Sequence, residues 1–404
     1  MASKSERKTK ALMRGERSGL RLYAGGTDFV TLGLCLLASI YGLVLVYSAT
    51  LRVKAEDALL PRDVFTMLIA LIGGIIAALV ISFVDYTLLL KFWYIMAGVC
   101  LLLMLGLIPF GVAPDARSDA RSWYDLKVFS FQPSELLKIG FIISYTWHLT
   151  KVKDEINKLK NIALLGAHAF VPFSLVILTG DLGSALVFLS IAIGMLFIAG
   201  LKLRYFAAAF ALAAAALPIL WVGFFNDFQK NRILAVYTPD KLDALEYKTI
   251  IYQQQQARNA MGSGQVFGKG LFKGSYIQSG SVPECENDMI LSVAGEELGF
   301  IGACAVIVLI GIIIIRMIRV STHTSNLQAR SICTGVALLI GAQAIINIGM
   351  CIMVLPVIGI TLPFFSAGGS STLTLYCSVG LVLSVYRYQN EHEDAQSYMN
   401  YLFS

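Results

Sequence analysis

The run DFVTLGLCLLASIYGLVLVYSAT, residues 28–50, is apolar throughout and carries no charged side chain after Asp28. About 20 consecutive apolar residues in an α-helix span the roughly 30 Å hydrocarbon core of a bilayer. Lipid offers no hydrogen-bond partner to the backbone, so a spanning segment is either a helix or part of a closed barrel. The run is too long, and too uniformly apolar, for a barrel strand. It therefore predicts a transmembrane helix.

The rest of the chain repeats this pattern. The protein has 404 residues, of which 57% are hydrophobic and 14% are charged, and its mean hydropathy is +0.71. Such a composition excludes a soluble domain of this length. It predicts an all-α polytopic membrane protein with about ten transmembrane helices. The predicted spans are 28–50, 63–84, 86–110, 132–150, 161–179, 182–200, 205–224, 289–315, 331–353 and 371–387.

The basic residues predict the orientation of these spans. The segment 1–27 holds a cluster of Lys and Arg, which favours the cytoplasmic side, and the even-numbered loops carry further Lys and Arg. An even number of spans places the tail 389–404 in the cytoplasm as well. The transmembrane domain then covers 28–388, with a large extracellular loop at about 225–288 between helices 7 and 8. A loop of this length is usually functional.

The seven cysteines include no CxxC pair and no cluster with histidine. This pattern argues against a disulfide framework or a zinc site. The net charge of +6 is concentrated in the N-terminal segment. It is better explained as a topology anchor than as a nucleic-acid surface.

Three carboxylates lie where acidic groups are costly. Asp288 stands where the large loop becomes an apolar helix, and Glu296 and Glu297 follow within the same predicted span. An ionised group in hydrocarbon costs a few kcal/mol, roughly, and commonly marks a cavity or a path. By helical rise, the two glutamates lie about 12–14 Å deeper than Asp288. We expect Asp288 to meet the outer surface and the glutamates to pair within the bundle.

Other polar groups stand near the predicted outer ends of the helices. Glu135 and Lys138 share one helical face and form either a structural ion pair or, with Arg121, a site for a phosphate-bearing ligand. Asp181 is either a helix N-cap or a ligand for substrate or metal.

Two more segments could contact a ligand. A glycine-rich stretch contains Arg258 and Lys269 and could bind anions through its backbone N–H groups. The segment 355–371, which includes Ser370, is rich in small residues. Such residues permit close packing or a re-entrant turn.

Read in order, these segments resemble one family. The motifs are FQPSELLK (131–138), GDLGSA (180–185), YQQQQARNAMGSG (252–264), GKGL (268–271), VPE (282–284), EELGF (296–300), NIGM (347–350) and LPFFSAGGSS (362–371). Their order and spacing are similar to those of the SEDS proteins (shape, elongation, division and sporulation), the group of RodA and FtsW. The resemblance extends from about residue 28 to residue 388. The GKGL motif, followed by a short run to VPE, favours the RodA subgroup.

The resemblance implies a peptidoglycan glycosyltransferase of the bacterial cytoplasmic membrane. Such an enzyme polymerises lipid II at the outer face and works with a class B penicillin-binding protein, for cell shape and elongation or for division. The essential aspartate of the family falls on Asp288, which we expect to act as general base. An N-cap role is the structural alternative for this residue. The expected substrate-binding residues are Arg121, Glu135, Lys138, Asp181, Arg258, Lys269 and Ser370.

Two expectations concern the chemistry around Asp288. The pyrophosphate leaving group needs positive charge, from basic side chains or from a divalent cation such as Mg²⁺ or Mn²⁺. The sequence assigns no metal ligands and implies no organic cofactor.

The family usually reads Thr-Asp-Phe-Ile-Phe around its aspartate, whereas this chain has Asn287, Met289 and Leu291 at the differing positions. This departure bears on the fine geometry of the pocket.

Two other classes of function compete with the enzyme. Acidic groups within the membrane and broken helices also suit a carrier, either a flippase for lipid-linked precursors or an ion-coupled transporter. A scaffold of the wall-synthesis complex without chemistry of its own is the third class. A carrier needs a midplane site, whereas the motif residues gather at the predicted outer face, which favours the enzyme.

Overall fold

The computed structural model describes residues 26–51, 60–113, 121–125, 130–223, 225, 227–324 and 326–403. The basic segment predicted for residues 1–27 lies outside this part of the chain except for its last two residues. The fold is α-helical, with one short antiparallel hairpin of β1 (Tyr124–Asp125) and β2 (Ser130–Phe131). The helices are α1 (Phe29–Thr50), α2 (Arg62–Ser82), α3 (Tyr86–Lys91), α4 (Trp93–Phe110), α5 (Pro133–Val152), α6 (Leu159–Leu178), α7 (Leu182–Ile198), α8 (Leu203–Gly223), α9 (Asp227–Tyr237), α10 (Ala244–Ser263), α11 (Ser275–Gln278), α12 (Ile290–Glu297), α13 (Gly299–Thr322), α14 (Leu327–Cys351) and α15 (Gly369–Phe403).

The all-α polytopic membrane fold is confirmed. Within the described residues, eight helices are long and apolar enough to cross a bilayer: α1, α2, α4, α6, α8, α13, α14 and the part of α15 up to Gln389. The predicted spans at 132–150 and 182–200 coincide with α5 and with the shorter apolar helix α7. The total of ten spans and their orientation stay predictions.

The prediction of single helices at 86–110 and 289–315 was wrong. The first contains two helices, α3 and α4, which are separated at Phe92. The second contains α12 and α13, which are separated at Leu298. Gly299 has a φ of +72°, a left-handed conformation that only glycine adopts without strain, so the helical axis changes direction there. Average hydropathy does not detect either break, because the apolar residues on both sides outweigh Lys91 at the first and Glu296 and Glu297 at the second.

The bundle is closed by small residues at helix crossings. α15 packs along α2, and α14 packs against α7 and α13. A Cβ added at Gly74 of α2 would lie 2.9 Å from Tyr376, and one added at Gly380 of α15 would lie 2.9 Å from the backbone of Ala78. Close backbone approach at small residues is the usual basis of helix packing in membranes. In contrast, α8 has no buried residue.

The large loop after α8 is itself helical and packs on the bundle. It contains α9, α10 and α11, and α10 contacts α12 and α14. Gln254 of α10 is buried, and its amide donates to the carbonyls of Met350 (2.8 Å) and Leu355 (2.7 Å). The loop therefore forms a folded layer over one end of the bundle.

Candidate active site

The segment that carries Asp288, residues 282–289, forms a tight turn before α12. Glu284 has a φ of +52°, and its carbonyl accepts hydrogen bonds from the N–H groups of Asn287 and Met289, each 3.1 Å long. Met289 occupies the N-cap position of α12. Asp288 is therefore not the helix cap that the sequence offered as its alternative role.

Three successive carbonyls of this turn are bound by other parts of the chain. The donors come from α14 and from the segment between α14 and α15. The bonds join Glu286 O to Ala367 N (2.8 Å), Asn287 O to Ser366 Oγ (2.7 Å) and Asp288 O to Asn347 Nδ2 (2.7 Å). The main chain at Asp288 is thus fixed from one side, while its side chain is half-buried. A reactive carboxylate needs this kind of preorganised position.

Glu286 lies in an acidic environment beside this turn. Burial raises the pKa of its carboxyl, and the charges of Glu284 and Asp63 raise it further, against opposing hydrogen bonds from its own backbone N–H and from Cys285. Carboxylates that repel each other hold protons more tightly. The N-terminal end of α2, which carries Asp63, therefore lies near the Asp288 turn.

Glu135 and Lys138 form a buried ion pair in the first turns of α5. The distance from Lys138 Nζ to Glu135 Oε1 is 2.7 Å, and the lysine side chain has no exposed surface. Removing one partner of such a pair leaves an uncompensated buried charge. The ion pair expected from the spacing is present, and the pair meets a ligand only if it rearranges.

Asp181 joins two of the sequence motifs. Its carboxylate accepts from the N–H of Ser184 (2.9 Å), as an N-cap of α7 does. It also accepts from Gln132 Nε2 (2.8 Å) and from Ser134 Oγ (3.3 Å), at the start of α5. The structure thus contains the cap alternative for Asp181, and its substrate role stays a prediction.

Glu296 accepts hydrogen bonds from the glycine-rich stretch and not from the bundle interior. Lys269 Nζ lies 2.8 Å from its carboxylate, and the N–H groups of Tyr276 and Ile277 donate to it at 3.0 Å. Burial alone raises the pKa of Glu296, but the hydrogen bond from Lys269, the two N–H groups and the lysine charge outweigh burial and lower it. Lys269, predicted to bind substrate, is committed to this pair.

Glu297 binds the same loop to the first helix. Its carboxylate accepts from Ser48 Oγ of α1 at 2.7 Å, and from the N–H groups of Phe272 (3.0 Å) and Gly274 (3.3 Å). Together, Glu296 and Glu297 form what we call the carboxylate clamp. Both side chains are buried, as expected for groups that pair within the bundle, but they end a separate helix, α12. Glu296 pairs with Lys269 of the loop, and Glu297 bonds both the loop and Ser48 of the bundle.

The remaining predicted ligand residues differ in exposure. Arg121 and Arg258 have exposed side chains, whereas Ser370 is buried in the first turn of α15. Within the described part of the chain neither arginine is in an ion pair, so both are accessible to an anion. The structure does not test a substrate contact for any of the three.

The contacts of Asn347 and Ser366 were not foreseen. Sequence reasoning assigned their motifs to packing alone. An amide within an apolar helix and a serine between apolar residues are costly unless they are hydrogen-bonded. Their place among apolar residues is therefore the sequence signal that predicts hydrogen-bond partners for Asn347 and Ser366.

The described residues contain no preformed ligand set for a bound metal ion. No three His, Cys, Asp or Glu side chains converge there in an arrangement that could hold an ion. We therefore derive no step through a divalent cation, and its involvement stays a prediction.

The sequence is similar to those of known proteins. Residues 29–391 match the model of the FtsW, RodA and SpoVE family, described as cell cycle proteins. A probable peptidoglycan glycosyltransferase FtsW of Geobacter sp. (strain M18) is 33% identical over 378 residues, covering 89% of this chain and 96% of that protein. The peptidoglycan glycosyltransferase MrdB of Escherichia coli (strain K12) is 31% identical over 291 residues, covering 72% of this chain and 76% of that protein.

Solved structures have the same fold. A chain from a structure on coordination of polymerization and crosslinking by a peptidoglycan synthase complex superposes with a TM-score of 0.74 at 27% identity, covering 90% of this chain and 99% of that one. The rod shape determining protein RodA of Thermus thermophilus superposes with a TM-score of 0.64 at 25% identity, covering 90% of this chain and 98% of that one.

Proposed function

Since the chain belongs to the FtsW, RodA and SpoVE family of cell cycle proteins, we propose that it polymerises glycan strands from lipid II at the outer face of the bacterial cytoplasmic membrane. It is a multi-pass membrane protein and a peptidoglycan glycosyltransferase of cell-wall synthesis. The proposal adds the substrate, the side of the membrane and the residues that act. The preference for the RodA subgroup stays a prediction, since relatives named FtsW and MrdB both match.

The proposed reaction transfers a glycan from a lipid pyrophosphate to the 4-hydroxyl of an acceptor sugar. The Asp288 carboxylate removes the hydroxyl proton while the oxygen forms a bond to the anomeric carbon of the donor. The bond from that carbon to the pyrophosphate oxygen breaks, and the lipid pyrophosphate leaves with the electron pair. A positioned general base contributes about 10²–10⁴-fold to such a step.

One observation carries the assignment of Asp288. Three successive carbonyls of its turn accept hydrogen bonds from α14 and from the segment before α15, so the backbone that carries its half-buried carboxylate is held in place. The other candidate acids have structural contacts of their own: Glu135 and Glu296 pair with lysines, and Asp181 and Glu297 accept hydrogen bonds from backbone N–H groups.

The leaving group needs positive charge, for which Arg121 and Arg258 are the accessible candidates. Guanidinium groups bind phosphate oxygens in a bidentate manner. Lys138 is fully buried in its ion pair, whereas the Lys269 side chain is 30% exposed beside Glu296.

We also infer a class B penicillin-binding protein as partner. The support is the likeness to a chain from a complex described as coordinating polymerization with crosslinking. Nascent strands released at the outer face would need such a crosslinking enzyme beside the polymerase.

The test is polymer formation from lipid II by the purified protein in detergent. We expect Asp288→Asn to lose about 10²–10⁴-fold in rate, because the amide cannot accept the proton. Glu286→Gln is the matched control, since it removes a carboxylate two residues away and should keep most of the activity. Normal polymerisation by Asp288→Asn contradicts the assignment. Flipping of lipid II in vesicles by a wild-type protein that makes no polymer supports the carrier instead.

A further inference from the structure

A cavity of about 260 Å³ lies among α4, α5 and α6. Its walls are mostly apolar and include Trp93, Leu101, Phe141 and Pro172. Val171, another lining residue, is 46% exposed on the surface that faces lipid in the predicted orientation. The cavity is therefore open to molecules dissolved in the bilayer.

Ser144 and His168 in this wall belong to a hydrogen-bonded network of three side chains. Ser144 Oγ lies 3.1 Å from His168 Nε2, and His168 Nδ1 lies 3.0 Å from His148 Nδ1. Ser144 Oγ also lies 3.2 Å from the carbonyl oxygen of Phe141, to which it can donate. Ser144 and His168 both line the cavity, and Ser144 is 3% exposed.

The number of protons on Ser144, His168 and His148 decides which hydrogen-bonding groups remain for a ligand. A neutral histidine has one N–H and one acceptor nitrogen. In one arrangement His148 donates to His168, His168 donates to Ser144, and Ser144 donates to Phe141. In the other, Ser144 donates to His168 and His168 donates to His148. In both, the N–H and O–H groups that join Ser144, His168 and His148 are used, while the oxygen of Ser144 keeps at least one lone pair.

Pro172, a lining residue, leaves a further acceptor in the backbone of α6. It has no N–H, so the carbonyl of His168, four residues earlier, lacks its helical donor. Ser144 Oγ thus keeps a spare acceptor position, and Trp93, another lining residue, brings an indole N–H donor to the same wall. A hydroxyl group, which both donates and accepts, complements these groups, and a ligand in an apolar cavity within the membrane must be uncharged.

The depth and size of the cavity narrow the class of ligand. Ser144 lies eleven residues after Pro133, about 16 Å along α5 at 1.5 Å per residue, which is near the middle of a ~30 Å hydrocarbon core. Phospholipid head groups do not reach this depth. The volume of about 260 Å³ is below the roughly 300–1,000 Å³ of sites for drug-sized molecules. It suits one end of a single chain and not a fused-ring lipid.

We propose that this cavity binds the hydroxyl end of a neutral single-chain lipid alcohol, whose O–H donates to Ser144 Oγ. The chain of the alcohol leaves the cavity past Val171 into the bilayer. The proposal is independent of the polymerase assignment, because binding requires no turnover.

The test uses the full-length protein in phospholipid vesicles and two photoreactive probes. One is hexadecanol with a diazirine near the hydroxyl, and the other is the methyl ether of the same molecule, which cannot donate. We expect the alcohol to label peptides that contain residues 137–144 or 168–172 about three- to ten-fold more strongly than the ether, as one net hydrogen bond allows. Equal labelling by the two probes overturns the proposal.

Variants locate the binding. Ser144→Ala should reduce alcohol labelling to the level of the ether, and Ala97→Phe should block both probes by filling the cavity. Leu102→Phe is the matched control, because residue 102 lies on the same helix but is 71% exposed to lipid and is not a lining residue. Should Ala97→Phe misfold, the smaller Ala97→Leu replaces it. Retained alcohol preference in Ser144→Ala, or undiminished labelling in the filled cavity, overturns the proposal.

Discussion

At the scale of single residues, Asp288 owes its position to backbone contacts that its own neighbours do not reveal. Met289 and Leu291, which differ from the usual aromatic residues of the family, are both buried. Met289 Sδ lies 3.7 Å from Cys351 Sγ in the packed interior. The departure from the family pattern therefore falls on core packing, and flexible Met suits an irregular gap beside α14.

The ion pair of Lys269 with Glu296 makes stability depend on pH in a defined direction. The folded state lowers the pKa of Glu296, so this stabilisation is present above the unfolded pKa and is lost as pH falls through the folded pKa. Lys269→Met removes the partner and raises the folded pKa. We expect the loss of stability on acidification to begin at a higher pH in the variant.

The measurement is the unfolding midpoint temperature in detergent as a function of pH. Lys158→Met is the control, because Lys158 and Glu155 form an exposed pair at 2.6 Å whose contribution should be about 0–1 kcal/mol. An unchanged acid profile in Lys269→Met contradicts the role of the ion pair.

Sequence reasoning identified most of the candidate site but not how it is assembled. The pair of Glu135 with Lys138 and the cap at Asp181 follow from local spacing, whereas the choice of Asp288 follows from the family resemblance and its place at the end of the large loop. The bonds from Asn347 and Ser366 join positions 59 and 79 residues away from their acceptors. Local patterns contain no information on such pairings.

At the scale of elements, the break between α12 and α13 decides where the carboxylate clamp points. An uninterrupted helix would carry Glu296 and Glu297 into the bilayer. The left-handed turn at Gly299 instead leaves them at the end of α12, where N–H groups of the loop reach them. One glycine therefore separates a short buried helix, whose last two residues bind the loop, from a long apolar helix.

Gly299→Ala tests this break. The left-handed conformation costs a residue with Cβ roughly 1–2 kcal/mol, and the added Cβ would lie 2.3 Å from the nitrogen of Gly268. We expect a lower unfolding midpoint and weaker polymerisation. Gly311→Ala in α13 is the control, since no atom lies within 4 Å of its added Cβ. It should be neutral or stabilising by up to about 1 kcal/mol. Equal stability of the two variants contradicts the assignment.

At the scale of the whole molecule, hydropathy predicted that the chain is built of apolar helices, and it placed several of them, such as α1, α2 and α8, to within a few residues. It could do so because exclusion of unpaired backbone from lipid leaves few alternatives to a helix. The folded outer layer of α9, α10 and α11 was treated as a loop. Its stability comes from contacts such as those of buried Gln254, which are tertiary and leave no periodic signal.

The predicted orientation has a direct test with single added cysteines in intact cells. Leu245→Cys lies before the middle of the large loop, where Leu245 is 80% exposed, and should react with a membrane-impermeant maleimide. Glu155→Cys, in the exposed turn between α5 and α6, should react only after the membrane is permeabilised. The reverse pattern contradicts the placement of the active site outside the cell.

The bond between Ser48 and Glu297 also constrains how the protein is made. Its two partners are 249 residues apart in sequence. At about 5–20 residues per second, the ribosome delivers Glu297 roughly 12–50 s after Ser48. During that interval the Ser48 hydroxyl of α1 lacks its carboxylate partner. The outer layer can close only when synthesis is nearly three-quarters complete, so a nascent chain that stalls before α12 would expose an unfinished outer surface to quality-control proteases.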